Sequence, residues 1–111
     1  MGGKEDVLGN LILELRRGTI VLSVLSQLGD SKYGYSLVQS LEEKGVTVEA
    51  NTLYPLLRRL EAQGLLESKW DTDEARPRKY YALTPLGREV YKKLCDEWKN
   101  MAACLGRLLD E

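Results

Sequence analysis

The residues best equipped for chemistry lie in two clusters. "NTLYPLLRRLEAQGLLESKW", Asn51 to Trp70, sets Thr52, Tyr54, Arg58 and Arg59 at helical spacing, and "RPRK" crowds Arg76, Arg78 and Lys79 around Pro77. Guanidinium, ammonium and hydroxyl groups so placed hold anions by charge-assisted hydrogen bonds, and a guanidinium can grip two acceptors at once. That set suits binding and not bond breaking. The chain has no histidine, which removes the usual general base near neutral pH and the commonest metal ligand. Cys95 and Cys104 fall in one predicted helix, where at ~100° per residue they point in nearly opposite directions. They fit neither a disulfide nor a metal pair and read as thiols of a reduced compartment. No nucleophile–base pair or Gly-rich phosphate loop is present. No enzyme, cofactor or metal is expected.

The elements that must position those clusters follow from apolar spacing. With 111 residues, 43% apolar and 30% charged, one domain with a buried core is expected, alone or with a long helical appendage. Residues 1–6 are polar and read as loose. Leu8, Leu11, Ile12 and Leu15, then Val21, Leu22, Leu25 and Leu28, trace helical pieces broken at Gly18-Thr19. Gly29 is expected to end this run in a left-handed conformation, and Asp30-Ser31 to cap a second helix from Tyr33 to Lys44, stopped by Gly45. In the third helix Leu53, Leu56, Leu57 and Leu60 make one apolar stripe, Asn51 is the expected N-cap, and Gly64 the stop. Pro55 then falls in or just past the first turn, where its missing N–H costs little.

After Gly64 the period changes. Leu66–Trp70 and Lys79–Leu83 read as two antiparallel strands around "DTDEARP", and Thr84-Pro85 opens a fourth helix running nearly to Glu111. Along it Tyr91, Cys95, Trp98, Ala102, Leu105 and Leu109 form a heptad seam, widened by Leu94, Met101 and Leu108. Such a helix spans about 37 Å, more than a three-helix core can cover, so a homodimer through this seam is expected.

The fold class is therefore mainly α with a small β-hairpin. Residues 7–84 read as a winged helix-turn-helix domain and 85–111 as a C-terminal dimerisation helix. In that architecture the helix before the hairpin enters a DNA major groove about 12 Å wide, and the hairpin tip, the wing, reaches the neighbouring backbone. Double-stranded DNA is the expected partner, met by the outer face with Asn51, Thr52, Tyr54, Pro55, Arg58 and Arg59. Net charge is −1, so affinity must come from local clustering and not from the whole surface. No apolar run approaches the ~18 residues of a membrane span, and "MGGKEDVLGN" lacks a secretory pattern. A cytoplasmic protein with no membrane contact is expected.

"YGYSLVQSLEE", "NTLYPLLRRLEAQGLLES" and "RPRKYYALTPLGRE" resemble the three signature blocks of the PadR family of bacterial transcription regulators, over about Gly18 to Glu89. The single last helix is similar to that of the short subfamily, whose members dimerise through it. The resemblance implies a dimeric repressor, often responsive to small aromatic or cationic compounds, here expected on an inverted-repeat operator. Some short members sense drugs with a tryptophan that stacks flat ligands in a pore between subunits. Trp98 in "CDEWKNM" occupies the matching place, and Leu94, Met101, Ala102, Leu11 and Leu15 would line the same cavity.

Each site also has a plainer reading. The third helix could show a solvated face, with Arg58 paired to Glu61, and which residue reads a base or holds a phosphate stays open. In the wing, Arg76, Arg78 and Lys79 could pair with Asp71, Asp73 and Glu74, acids that leave it near neutral. Tyr35 and Ser36 open the second helix, whose N-terminus can face a phosphate; alternatively Tyr33 or Tyr35 packs beneath the third helix. Of Tyr80 and Tyr81, alternating across a strand, one must face inward. Trp98 could be dimer core alone. The alternative function is a winged-helix protein-interaction module that no longer binds DNA.

Overall fold

Among the described residues twelve side chains form the core: Val24, Leu25, Leu28, Leu37, Leu41, Val48, Leu53, Leu57, Leu60, Leu66, Tyr81 and Leu83. They come from every part of the chain between residues 20 and 84, and the elements that carry them are those of a computed structural model, which describes residues 3–73 and 75–110. The order is α1 (Gly3–Arg17), α2 (Ile20–Ser26), β1 (Lys32–Tyr33), α3 (Gly34–Glu43), α4 (Ala50–Ala62), β2 (Leu66–Asp71), β3 (Arg78–Leu83) and α5 (Pro85–Leu109). The expected hairpin is present, but β1 pairs with the far side of β3, giving a three-stranded antiparallel sheet in the order β1-β3-β2. Two residues are too few to carry a period, which is why β1 is invisible in the sequence.

Several expected boundaries move. α1 starts at Gly3, inside the segment read as loose. α3 starts at Gly34, with Tyr33 in the N-cap position, not Asp30-Ser31. Gly29 does not take the left-handed conformation expected of it; among the described residues only Gly45 and Gly64 do. Those two close their helices the same way. Val46 N–H donates to the Leu41 carbonyl and Gly45 N–H to Glu42, and Leu65 N–H to Leu60 and Gly64 N–H to Glu61, the pairs of bonds that satisfy the last helical carbonyls. Asn51 is not the N-cap of α4. That position is Glu49, whose carbonyl accepts from the Thr52 and Leu53 amides. Pro55 consequently lies inside the helix. Its missing N–H removes the bond the Asn51 carbonyl would accept, and both residues are exposed, where water can replace it.

α5 is fixed at its root. The Thr84 hydroxyl accepts from the Gly87 amide at 3.0 Å and donates to the Gly64 carbonyl at 2.6 Å, and Thr84 N–H donates to the Leu65 carbonyl at 3.1 Å. Gly87 lies so close to that carbonyl that a Cβ there would overlap it. Tyr91 and Leu94 then pack against the core, and beyond them α5 leaves the domain. Trp98 is 49% exposed, with Met101, Leu105, Leu108 and Leu109 also open. α1 has no buried residue at all, and its Val7, Leu8, Leu11 and Leu15 are exposed.

Thr84→Ala removes both side-chain bonds at this root. Loss of an N-cap costs about 1 kcal/mol, so the denaturant midpoint should fall at fixed protein concentration without a change in slope. An unchanged midpoint would show that α5 is held without its cap.

Candidate nucleic-acid interface

The rotation of α4 is set by Leu53, Leu57 and Leu60, all buried. At about 100° per residue, Asn51, Pro55 and Arg58 then lie opposite the core. Tyr54 and Glu61 occupy one flank, Thr52 and Arg59 the other. All of the six residues expected to meet DNA from this helix are exposed. α3 crosses beneath, and a close approach fixes the crossing: a Cβ on Gly34 would lie 2.5 Å from the Tyr54 ring. So it is Tyr54, and neither Tyr33 nor Tyr35, that uses the space between α3 and α4. Tyr35 is 68% exposed, its hydroxyl accepting from Gln39 Nε2 at 3.0 Å. Ser36 is half-buried on the wall of the cleft between α3, α4 and the wing, which Tyr35, Tyr54, Trp70, Arg76 and Lys79 also line.

The wing has two faces with different work. Toward the helices, cross-strand pairs run outward from the core: Leu66 with Leu83, Ser68 with Tyr81, Trp70 with Lys79. Leu66, Tyr81 and Leu83 are buried, while Trp70, past the end of the core, is 62% exposed. Tyr81 is thus the inward tyrosine of its pair. Glu61 of α4 reaches both strands, accepting from the Ser68 hydroxyl at 2.5 Å and pairing with Lys79 Nζ at 3.6 Å. Lys79 also lies 5.5 Å from the Tyr81 ring centroid and 6.0 Å from that of Trp70. Lys79, expected as a phosphate contact, is half-buried and in this fold also braces the wing against α4. Glu61 pairs with it and not with Arg58.

On the other face Asp71, Arg78, Tyr80 and Tyr33 meet. The Tyr33 hydroxyl donates to Asp71 Oδ2 at 2.5 Å, and Asp73 N–H donates to Asp71 Oδ1 at 3.1 Å. Those two bonds, the Tyr33 one foremost, with help from the Arg78 charge, hold the Asp71 carboxyl below its ordinary range against a small opposing effect of burial. Tyr33 and Tyr80 pack edge to face at 5.7 Å, and the Arg78 guanidinium lies 5.4 Å from the Tyr33 ring centroid. Asp71 therefore shapes the wing as well as diluting its charge. Arg76 is exposed at the tip; Glu74, expected as a pairing partner, lies outside the described residues.

The two sets on the last helix are placed differently. Tyr91, Leu94 and Cys95 are half-buried in the protomer, and Ala102, Leu105 and Leu109 are exposed. The Tyr91 phenol is pushed up by its hydrogen bond with Cys95 and by burial. Leu11, Leu15, Trp98, Met101 and Ala102 are all exposed, so any cavity they line needs a second subunit. Sequence reasoning offers Glu61 only to Arg58 and Tyr33 only to packing beneath the third helix, and passes over Trp70. The first two become functional only through tertiary partners, but Trp70 shares the pleat face of Leu66 and Ser68, a signal that was legible.

The transcriptional regulator PadR-like family model matches residues 21–93. The chain is similar to the transcriptional regulator Rv3488 of Mycobacterium tuberculosis, 41% identical over 76 residues that cover 68% of this chain and 71% of that protein. Its fold is similar to the crystal structure of a PadR family transcriptional regulator from Eggerthella lenta, with a TM-score of 0.90, 50% identity and coverage of 95% and 94% of the two chains. It is also similar to a PadR-like transcriptional regulator from Bacillus cereus, with a TM-score of 0.78, 26% identity and coverage of 88% and 98%.

The Asp71 clamp gives a pH dependence. Because the folded state lowers the pKa of this carboxyl, its ionised form supports the wing fully above the ordinary aspartate range, about 4, and that support is lost as pH falls through the depressed value. An acid titration of Trp70 fluorescence, in a Trp98→Phe background, should report the wing loosening. Tyr33→Phe should move that transition to higher pH. Superimposable curves for the two proteins would remove the clamp from the account.

Proposed function

This chain belongs to the PadR-like family of transcriptional regulators, and from that premise we propose that it is a dimeric repressor of an inverted-repeat operator. The family is one of DNA-binding regulators. The observation that carries the finer reading is the outward face of α4, where Asn51, Pro55 and Arg58 stand opposite a fully buried leucine stripe. A helix so held can enter the major groove with Arg58 aimed at base edges, where bidentate bonds to guanine are the commonest specific contact. Tyr35, Ser36 and Tyr54 on one side, and Arg76 and Arg78 on the wing, reach the flanking phosphates.

The dimer rests on the bare apolar faces of α1 and of the outer half of α5. Trp98, Met101, Leu105, Leu108 and Leu109, with Val7, Leu8, Leu11 and Leu15, form more exposed apolar surface than a monomer normally carries. A second copy of the chain covers them. Two α4 helices about 34 Å apart then meet successive major grooves. Ligand response is placed at the same interface, where Trp98 and Met101 would meet a flat aromatic or cationic compound between subunits. Such a compound alters DNA affinity only as far as it binds the two forms of the dimer unequally. The near-neutral wing, with Lys79 tied to Glu61, favours a second reading as a protein-docking module.

Selection of duplexes from a random pool separates these readings. A palindromic winner is expected, and Arg58→Ala should weaken it at least about thirtyfold, the lower end of a bidentate contact, about 1 kcal/mol, lost in each half-site, while relaxing preference at one position per half-site. No enrichment would favour the docking module. Sedimentation should show a dimer at micromolar concentration, and Leu105→Asp should release monomers; a wild-type monomer under those conditions would overturn the interface.

A further inference from the structure

We propose that the corner between α1 and α2 is a second phosphate-binding edge, and that Arg16 and Arg17 clamp the DNA backbone on the side of α4 away from the wing. The inference rests on the DNA-binding reading and extends it to residues outside the wing and the recognition helix. The flank of α4 that carries Thr52 and Arg59 faces Arg17 across a shallow depression, and a neighbouring one, sharing Thr52 and Arg17, is lined by Arg16, Thr19 and Thr47. No carboxylate among the described residues lines either depression. Among the described residues Arg16, Arg17 and Arg59 pair with no acid, and all three are exposed.

The wing is the contrast. There Lys79 is bound to Glu61 and Asp71 sits against Arg78, so the flank that the fold would assign to phosphate holding is the more compensated one. A helix 10–12 Å across in a groove about 12 Å wide has a sugar–phosphate strand on each side. On this protein three arginines that pair with no acid among the described residues, Arg16, Arg17 and Arg59, face the strand opposite the wing. The corner is also held in place: Thr19 N–H and its hydroxyl both donate to the Arg16 carbonyl, at 3.0 and 2.9 Å. These bonds tie the last turn of α1 to Thr19, the residue before α2, whose Val24 and Leu25 are buried in the core.

A simpler role exists for the pair. Both arginines lie in the last turn of α1, where a cation offsets the negative end of the helix dipole. Affinity against salt separates the two roles, using the full-length chain and its selected duplex. For Arg16→Ala/Arg17→Ala the phosphate role gives at least a tenfold loss of affinity. For the dimer the slope of log affinity on log salt becomes shallower by about 3.6, or ~0.9 for each of the four phosphates, two per subunit, no longer neutralised. The ranking of mutated operators stays unchanged, because phosphates carry no sequence. Arg16→Lys/Arg17→Lys should restore most of the slope. A double alanine variant with a lower denaturation midpoint but wild-type affinity and slope would assign the pair to the helix end and overturn the proposal. A wild-type chain that selects no duplex would instead fail the DNA reading itself.

Discussion

A helix that is to enter a DNA major groove about as wide as itself has little rotational tolerance, since a turn of one residue swings each side chain by about 100°. In this chain the angle is held by Leu53, Leu57 and Leu60 from below and by the Tyr54 ring seated over Gly34 at the side. Burial of three leucines at roughly 2 kcal/mol each outweighs anything the exposed face gains locally. The outer residues are therefore free to be chosen for contact and not for folding. The same logic explains why a proline is tolerated at position 55, where the cost falls on a solvated carbonyl.

Charge is distributed against the simple picture of a cationic wing. Glu61 joins Ser68 and Lys79 across both strands, and Asp71 joins Tyr33 while its partner in register is Arg78. These contacts hold the hairpin at a defined angle to α4, at the expense of the net charge it offers to phosphate. Rigidity and electrostatic pull compete for the same side chains. In a protein whose total charge is −1, that competition makes the position of each unpaired arginine matter more than their number.

Much of this was legible in advance. The leucine stripe of α4, the Thr84-Pro85 start of α5, the stops at Gly45 and Gly64 and the two wing strands all follow from local rules, because each is decided within a few residues. What escaped was decided at a distance. Glu49 takes the cap position although Asn51 has the better side chain for it, since the turn after Val48 is fixed by that residue's burial. β1 exists only because β3 offers it an edge. The acids offered to Lys79 by the sequence are those of its own loop, Asp71, Asp73 and Glu74, whereas its partner, Glu61, is 18 positions earlier in the chain. Trp70 could have been found by following the pleat outward from Leu66.

The Thr84 root has a mechanical consequence. One hydroxyl ties the start of α5 to the Gly64 carbonyl, one residue past the cap of α4, and Gly87 removes any side chain that could cushion the joint. α5 is thereby a lever of 25 residues, about 37 Å long, whose fulcrum touches the end of α4. A tilt of about 5° at that fulcrum moves the far tip by about 3 Å. Read in reverse, a displacement of about 3 Å at the far end of α5 corresponds to only about 5° at its root beside α4.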